Sequence, residues 1–92
     1  MRYEVGICNE GVKEYELFFK TYRHADIAIY VAKNDKEKYN DIYKIDYIEH
    51  GHDDHRVYVV CDNGVLHVLL EKINYELRYF CDAGETVEWE WL

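Results

Sequence analysis

The sequence predicts a single α+β domain, in which one helix packs on a face of an antiparallel β-meander of about six to seven strands. Three observations lead to this prediction. Apolar and polar residues alternate along several short segments, which is typical of half-buried strands. One segment instead repeats alanine at helical spacing, and turn residues separate the segments by only a few positions. The length of 92 residues fits one domain over 1–92, because two smaller domains would lack adequate cores.

The first two predicted strands form a hairpin. Every second residue is apolar along 2–8, and 13–20 alternates in the same way. Asn9-Glu10-Gly11 lies between these segments and supplies turn residues. We expect Gly11 to adopt the positive φ that tight hairpin turns require.

Residues 25–39 are predicted to form the helix. Ala25, Ala28 and Ala32 recur at helical spacing, and alanine is a poor strand former. Asp26 lies near the start and lysines lie towards the end, an order that complements the helix dipole. The β-branched residues in between would also suit a strand, but the alanine spacing favours a helix.

The next part of the chain returns to strands. Period-two alternation predicts strands over 42–49 and 56–61, with a polar loop at 50–55 between them. Asn63-Gly64 is the strongest turn signal in the chain, because Asn-Gly favours a type I′ hairpin turn. Residues 65–71 are therefore predicted to be the return strand of a hairpin.

The last predicted hairpin joins 75–81 to 86–91 around a turn at 82–85. The predicted order is thus ββαβ followed by β-hairpins. Because the connections are short, consecutive strands are expected to be neighbours in a meander.

The composition restricts the function classes. The formal net charge is −8, so the chain should repel nucleic acid and anionic lipid and attract basic surfaces. No apolar stretch is long enough to span a membrane, and the N-terminus lacks a signal-peptide layout. The three cysteines form no CxxC pair, which favours a reducing compartment. We therefore expect a cytoplasmic protein without direct nucleic-acid or membrane contact, as a monomer or homodimer.

No catalytic motif is present. The chain has neither a phosphate-binding glycine pattern nor a GxSxG or HExxH motif. Cys8, Cys61 and Cys81 fall at predicted strand ends without a neighbouring base, so we interpret them as small buried hydrophobes. We expect neither enzymatic activity nor a cofactor.

A histidine-rich segment gives an alternative metal-site hypothesis. His50, His52 and His55 lie within six residues, together with two aspartates. Three such ligands and a water would match a catalytic zinc site. The spacing matches no closed structural zinc site, and a solvated connecting loop explains the same composition.

Acidic residues recur on predicted strand faces. Alternate residues on a strand are about 7 Å apart, on the same scale as phosphates along DNA, so rows of carboxylates could imitate a phosphate backbone. Tyrosines, which favour strands and dominate binding hot spots, would act as anchors. The candidate partner-binding residues are Glu14, Glu16, Tyr43, Tyr47, Tyr58, Glu76, Tyr79, Glu85, Glu88 and Glu90.

In size, acidity, tyrosine content and lack of catalytic motifs, the chain resembles small phage and mobile-element inhibitors, including anti-CRISPR proteins. It is similar in the same respects to bacterial immunity proteins that block nuclease toxins. These resemblances imply a stoichiometric inhibitor of a basic, nucleic-acid-handling protein. A metal-binding domain and a self-assembling structural subunit are the alternatives from other classes.

Overall fold

The chain folds as two layers, with two helices on one face of a five-stranded mixed sheet. The computed structural model describes residues 2–80 and 86–92, with side chains for 5–79 and 88–92. In chain order the elements are β1 (Arg2–Gly11), β2 (Glu14–Phe19), α1 (Tyr22–Tyr39), β3 (Ile42–Gly51), β4 (Asp54–Cys61), α2 (Asn63–Phe80) and β5 (Thr86–Trp91).

The strand order in the sheet is β3-β4-β2-β1-β5. Antiparallel pairing joins β3 to β4, β4 to β2 and β2 to β1, whereas β5 pairs with β1 in parallel. The prediction of an α+β fold is confirmed. The predicted meander of six to seven strands with one helix is wrong, because the described sheet has five strands, is mixed and carries two helices, and β5 crosses over to the far edge.

Two successive ββα units make up most of the chain. β1-β2-α1 and β3-β4-α2 each contain a hairpin with a two-residue turn, followed by a helix of 18 residues. Both hairpins carry a register shift at the same place, between Asn9 and Gly11 and between Glu49 and Gly51. The units meet where β2 pairs with β4, so the two hairpins form the centre of one sheet.

Local interactions determine the turn of the first hairpin and the two ends of α1. The turn lies at Val12-Lys13, and Lys13, not Gly11, adopts the left-handed φ of 62°. Thr21 caps the helix, since its Oγ1 accepts a hydrogen bond from the His24 amide at 3.2 Å. At the other end Asn40 has a φ of 56°, and its amide donates to the Lys36 carbonyl at 2.9 Å. The predicted helix is confirmed, although its earlier start leaves Asp26 outside the first turn.

The predicted strands at 65–71 and 75–80 are wrong, because both lie in α2. Asn63-Gly64 opens this helix instead of closing a hairpin, and the Leu66 amide donates to the Asp62 carbonyl at 2.9 Å. An apolar run fits a buried helix as well as a strand, and burial decides between them. The fully buried positions of α2 follow the helical i, i+3, i+7, i+11 spacing: Leu66, Leu69, Ile73 and Leu77.

The predicted polar loop at 50–55 is also wrong. β3 continues to Gly51 and β4 begins at Asp54, so only His52 and Asp53 form the turn. The predicted strand at 86–91 is confirmed, but it has no hairpin partner at 75–80. Neither of the two described helices combines the length and apolar content that crossing a membrane would need.

The core lies between the helices and the inward face of the sheet. Strand positions that alternate inward, such as Ile7, Leu17 and Val57, are fully buried and pair side by side across β1, β2 and β4. Ala25, Ala28 and Ala32 are fully buried on α1, where small side chains let the helix approach closely. The buried apolar residues form one core cluster between the helices and the sheet. No described element covers the other face of the sheet.

Candidate protein-binding face

The uncovered side of the sheet, called here the open sheet face, collects half of the residues predicted to bind a partner. Strand pairing places Glu14 and Glu16 of β2 beside Tyr58 of β4, and Glu88 and Glu90 lie on β5 at the edge. Acids outnumber bases among the described side chains on this face. The acids are Glu10, Glu14, Glu16, Asp46, Asp54, Glu88 and Glu90, and the bases are Lys20, Lys44 and Arg56.

Arg56 organises the centre of the face. Its Nη1 donates to Glu16 Oε1 at 2.8 Å, and its Nε and Nη2 both donate to the Asp54 carboxylate at 2.9 Å. Its guanidinium also lies 4.4 Å from the centroid of the Phe18 ring. The hydrogen bonds that Arg56 donates to Asp54 and Glu16 hold the pKa of Arg56 above its usual value, and the bond that Asp54 accepts lowers the pKa of Asp54.

The carboxylate of Glu16 therefore serves mainly as a hydrogen-bond partner of Arg56 within the protein. Only 9% of Glu16 is accessible to solvent. A buried carboxylate of this kind needs a hydrogen-bond donor, and the guanidinium of Arg56 supplies it. It would contribute little to attracting a distant basic surface.

Glu14 also accepts a hydrogen bond from a side chain of β4, in the next row of residues along the sheet. The Tyr58 hydroxyl donates to Glu14 Oε1, and this bond raises the pKa of Tyr58 to about 12. The Lys44 ammonium lies 5.9 Å from the Tyr58 ring centroid and 3.4 Å from Asp46 Oδ2. Cross-strand contacts thus tie β2, β4 and β3 together on this face.

Glu88 and Glu90 present the most accessible carboxylates of the predicted set on this face. Both are exposed on the edge strand β5, opposite Glu4 and Gly6 of β1. Gly6 leaves a gap in the row of side chains, and Leu92 packs into it. An ideal Cβ at Gly6 would lie 2.9 Å from Leu92 Cδ1. The resulting groove has a volume of about 420 Å³, and its charged border consists of Glu90, Asp53, Asp54 and Lys20.

An apolar strip, formed by Ile48, Phe18 and Leu92 and interrupted by Arg56 between Ile48 and Phe18, crosses the face. Ile48 pairs with Arg56, and Arg56 pairs with Phe18, so these side chains share one row across β3, β4 and β2. Ile48 is 39% exposed and Leu92 is 66% exposed, while Phe18 is half-buried. An acid-bordered apolar strip has the composition of a protein-binding surface.

The structure does not bring the other predicted residues to this face. Tyr43 is exposed on the edge strand β3, and its carbonyl accepts from Lys36 Nζ at 3.3 Å. Tyr47 points to the helix-covered side, and burial raises its pKa. Glu76 and Tyr79 lie on α2, in the helical layer. Glu85, together with Cys81, lies outside the described residues.

The three histidines are not assembled as a metal site. His55 is buried, with 4% exposed, and both its ring nitrogens have partners. Its Nε2 donates to the His52 carbonyl at 2.8 Å, and its Nδ1 accepts from the Tyr47 hydroxyl at 2.7 Å. His50 and His52 are exposed near the turn. No group of three or more potential metal ligands occurs in the described part of the chain.

The two described cysteines differ in environment. Cys61 is fully buried at the end of β4, and this burial raises the pKa of its thiol to about 11. Cys8 lies on the open sheet face, where a hydrogen bond with Glu10 raises its pKa. Neither thiol has the depressed pKa of a nucleophile.

Sequence reasoning missed Arg56, Phe18 and Leu92 as parts of the face. Arg56 and Phe18 carried a detectable signal, because each alternates with core positions on a correctly predicted strand. No short-range pattern could place Leu92, because its position depends on the parallel pairing of β5 with β1.

No protein-family model matches the chain, and no curated protein matches it. Among solved structures, the chain is similar to SMU.848 from Streptococcus mutans, known from a crystal structure. The match covers 97% of this chain and 96% of that protein, at 12% identity and a TM-score of 0.45. A likeness at this level carries no argument about function.

Proposed function

We propose that this protein is a small acidic binding protein that inhibits a basic, nucleic-acid-handling partner by contact through the open sheet face. One observation supports the proposal most directly. The uncovered side of a two-layer fold presents an acid-bordered apolar strip, with no described element packed over it. Such a surface suits a basic protein with a complementary apolar patch.

The two kinds of side chain have separate roles in this proposal. Glu88 and Glu90 are exposed, so they attract the partner at a distance and raise the association rate. Ile48, Phe18 and Leu92 exclude water after contact and slow dissociation. Glu14 and Glu16 instead hold Tyr58 and Arg56 in position through hydrogen bonds.

The partner class follows from the charge of the face. A nuclease or another nucleic-acid-binding protein carries a basic groove that a row of carboxylates would cover. A phage or mobile-element inhibitor of bacterial defence and an immunity protein against a nuclease toxin would use the same surface. The identity of the captured protein distinguishes the two.

The test is affinity capture from nuclease-treated bacterial lysate, with elution in a salt gradient and identification by mass spectrometry. We expect a basic nucleic-acid-processing protein that elutes at moderate salt. The purified pair then gives association rates for the double variant Glu88→Lys/Glu90→Lys. Reversal of both charges should slow association by about tenfold or more at low salt.

The matched control reverses two exposed acids in the helical layer, Glu37→Lys/Glu71→Lys. It changes the net charge by the same amount but leaves the open sheet face intact. If both double variants slowed association equally, the effect would be due to net charge alone. That result would contradict the assignment of the binding site to the open sheet face. An unchanged association rate for Glu88→Lys/Glu90→Lys would also contradict that assignment.

A further inference from the structure

A second surface, the groove between α1 and α2, lies on the opposite side of the molecule from the open sheet face. α1 and α2 pack against each other, and adjoining depressions follow their contact. The largest depression has a volume of about 580 Å³, near the end of α1 and the start of α2. Its neighbour shares Asp35, Tyr39 and Lys72 with it, so the depressions form one continuous interhelical groove.

An ion pair between Lys72 and Asp35 lies along this groove. Lys72 Nζ donates to Asp35 Oδ1, and Asp35 is only 4% exposed. The same ammonium lies 5.0 Å from the centroid of the Tyr39 ring. The Lys72 side chain is 42% exposed, and its ion pair balances the charge of Asp35, so the net charge of the groove is set by its other charged residues.

Four acids against one base, Lys38, give the rest of the groove a negative character. Asp41 and Asp62 line the large depression, and Asp26 and Glu76 line a smaller depression at the other end of the groove. Asp62 forms an ion pair with Lys13 at 2.9 Å, but both side chains are about half exposed. Within 5–79 and 88–92, neither Asp41 nor Glu76 has an ion-pair partner.

Aromatic and apolar side chains form the walls. Tyr39 and Tyr30 are 59% and 69% exposed, and both line the groove on the α1 side. Val68, which is 49% exposed, lines it on the α2 side. An arginine combines the features that fit here: its aliphatic stem lies on valine, its planar guanidinium stacks on tyrosine, and its donors fork to a carboxylate.

From this geometry we infer that the interhelical groove binds an arginine-bearing segment of a partner protein. Charge complementarity selects a basic segment, and the exposed tyrosine rings that line the groove select arginine over lysine. The inference does not rest on the function proposed for the open sheet face, because the two surfaces share no residues.

The test uses an oligoarginine peptide of about eight residues, which in extended form spans the length of an 18-residue helix, about 27 Å. Amide chemical shifts in NMR locate its binding site on the full chain. We expect shifts along the groove-facing residues of α1 and α2. We also expect oligoarginine to bind several-fold more tightly than oligolysine of equal length.

Two double variants with the same change in net charge separate the groove from general electrostatics. Asp41→Asn/Glu76→Gln should weaken oligoarginine binding about tenfold, whereas Glu88→Gln/Glu90→Gln should change it less than about twofold. Tyr30→Ala should abolish the preference for arginine over lysine, because Tyr30 is the more exposed of the two rings and the Tyr39 ring already contacts Lys72. Thermal unfolding of each variant checks that it remains folded.

Three outcomes would overturn the inference: equal weakening by both double variants, shifts confined to the sheet, or no preference for arginine. Failure here would leave the open-sheet-face proposal untouched, because that proposal depends on the Glu88/Glu90 charge reversal. If the Glu88/Glu90 charge reversal left association unchanged, the inference about the interhelical groove would likewise be unaffected.

Discussion

Arg56 of β4 and Glu16 of β2 are joined by a hydrogen-bonded ion pair of 2.8 Å that runs diagonally across two neighbouring strands. Glu16 lies directly opposite Tyr58, and Arg56 lies directly opposite Phe18. The pair therefore links the two ββα units at the centre of the sheet. It also accounts for the burial of a carboxylate on a face that is otherwise open.

The first prediction concerns this pair. Arg56→Met should lower the free energy of unfolding by about 1–3 kcal/mol, because it leaves the buried Glu16 carboxylate without its charged donor. Glu16→Gln in the same chain should recover part of the loss. Lys44→Met, at an ion pair whose side chains are more than half exposed, should cost less than about 1 kcal/mol. Urea unfolding measures all three, and equal costs at Arg56 and Lys44 would contradict the ordering.

The second prediction distinguishes the helix at 63–80 from the strands that the sequence pattern favours. Leu69 is fully buried, whereas its neighbour Val68 is 49% exposed. Leu69→Ala should cost about 2–5 kcal/mol, and Val68→Ala should cost less than about 0.5 kcal/mol. His67→Pro should cost about 3 kcal/mol or more, since proline breaks a helix interior. Circular dichroism should show a loss of helix for the proline variant, and tolerance of proline would count against α2.

The third prediction concerns the end of α1. Asn40 adopts a left-handed φ of 56°, which glycine adopts without strain and alanine does not. Asn40→Gly should keep the free energy of unfolding within about 0.5 kcal/mol of the parent, and Asn40→Ala should lower it by about 1 kcal/mol. The measurement compares the change in the free energy of unfolding of the alanine variant with that of the glycine variant. A more stable alanine variant would contradict this backbone conformation.

The fourth prediction concerns the described thiols, measured in a Cys81→Ser background. Burial of Cys61 raises its pKa to about 11, so its thiolate is both scarce and inaccessible at neutral pH. Cys8 should react with iodoacetamide at least about tenfold faster. Glu10→Gln should speed the reaction of Cys8, because the Glu10 carboxylate raises the pKa of that thiol. Peptide mass spectrometry over time assigns each rate.

The fifth prediction addresses the histidine segment. His55→Ala should destabilise the fold, because it removes hydrogen bonds to Tyr47 and to the His52 carbonyl and opens a cavity. His50→Ala/His52→Ala should leave the melting temperature close to that of the parent, since both side chains are exposed. Zinc or a chelator should shift none of these temperatures. A zinc-dependent rise that the double variant loses would restore the metal-site hypothesis.

Local sequence patterns predict a large part of this fold. Period-two alternation predicts strands that overlap β1 to β4, because one face of each strand is buried and the other is not. Alanine spacing predicts α1, which Thr21 and Asn40 then delimit. The candidate face was predicted in part for the same reason, since Glu14, Glu16 and Tyr58 alternate with buried positions on predicted strands.

Other features depend on contacts between distant residues. The apolar run at 65–71 fits a strand or a helix locally, and packing of Leu66, Leu69 and Ile73 in the common core selects the helix. β5 has strand alternation, but its parallel position beside β1 depends on long-range contacts such as the 2.7 Å bond from Trp89 Nε1 to Asn74.

The sequence by itself thus determined the acidic character, the α+β class and most of the strands, because these depend on composition and local periodicity. Tertiary structure decided which acids are accessible. Glu16 is occupied by Arg56, whereas Glu90 is exposed on an edge strand. Strand pairing at long sequence separation brings the partners together, and no local pattern encodes that pairing.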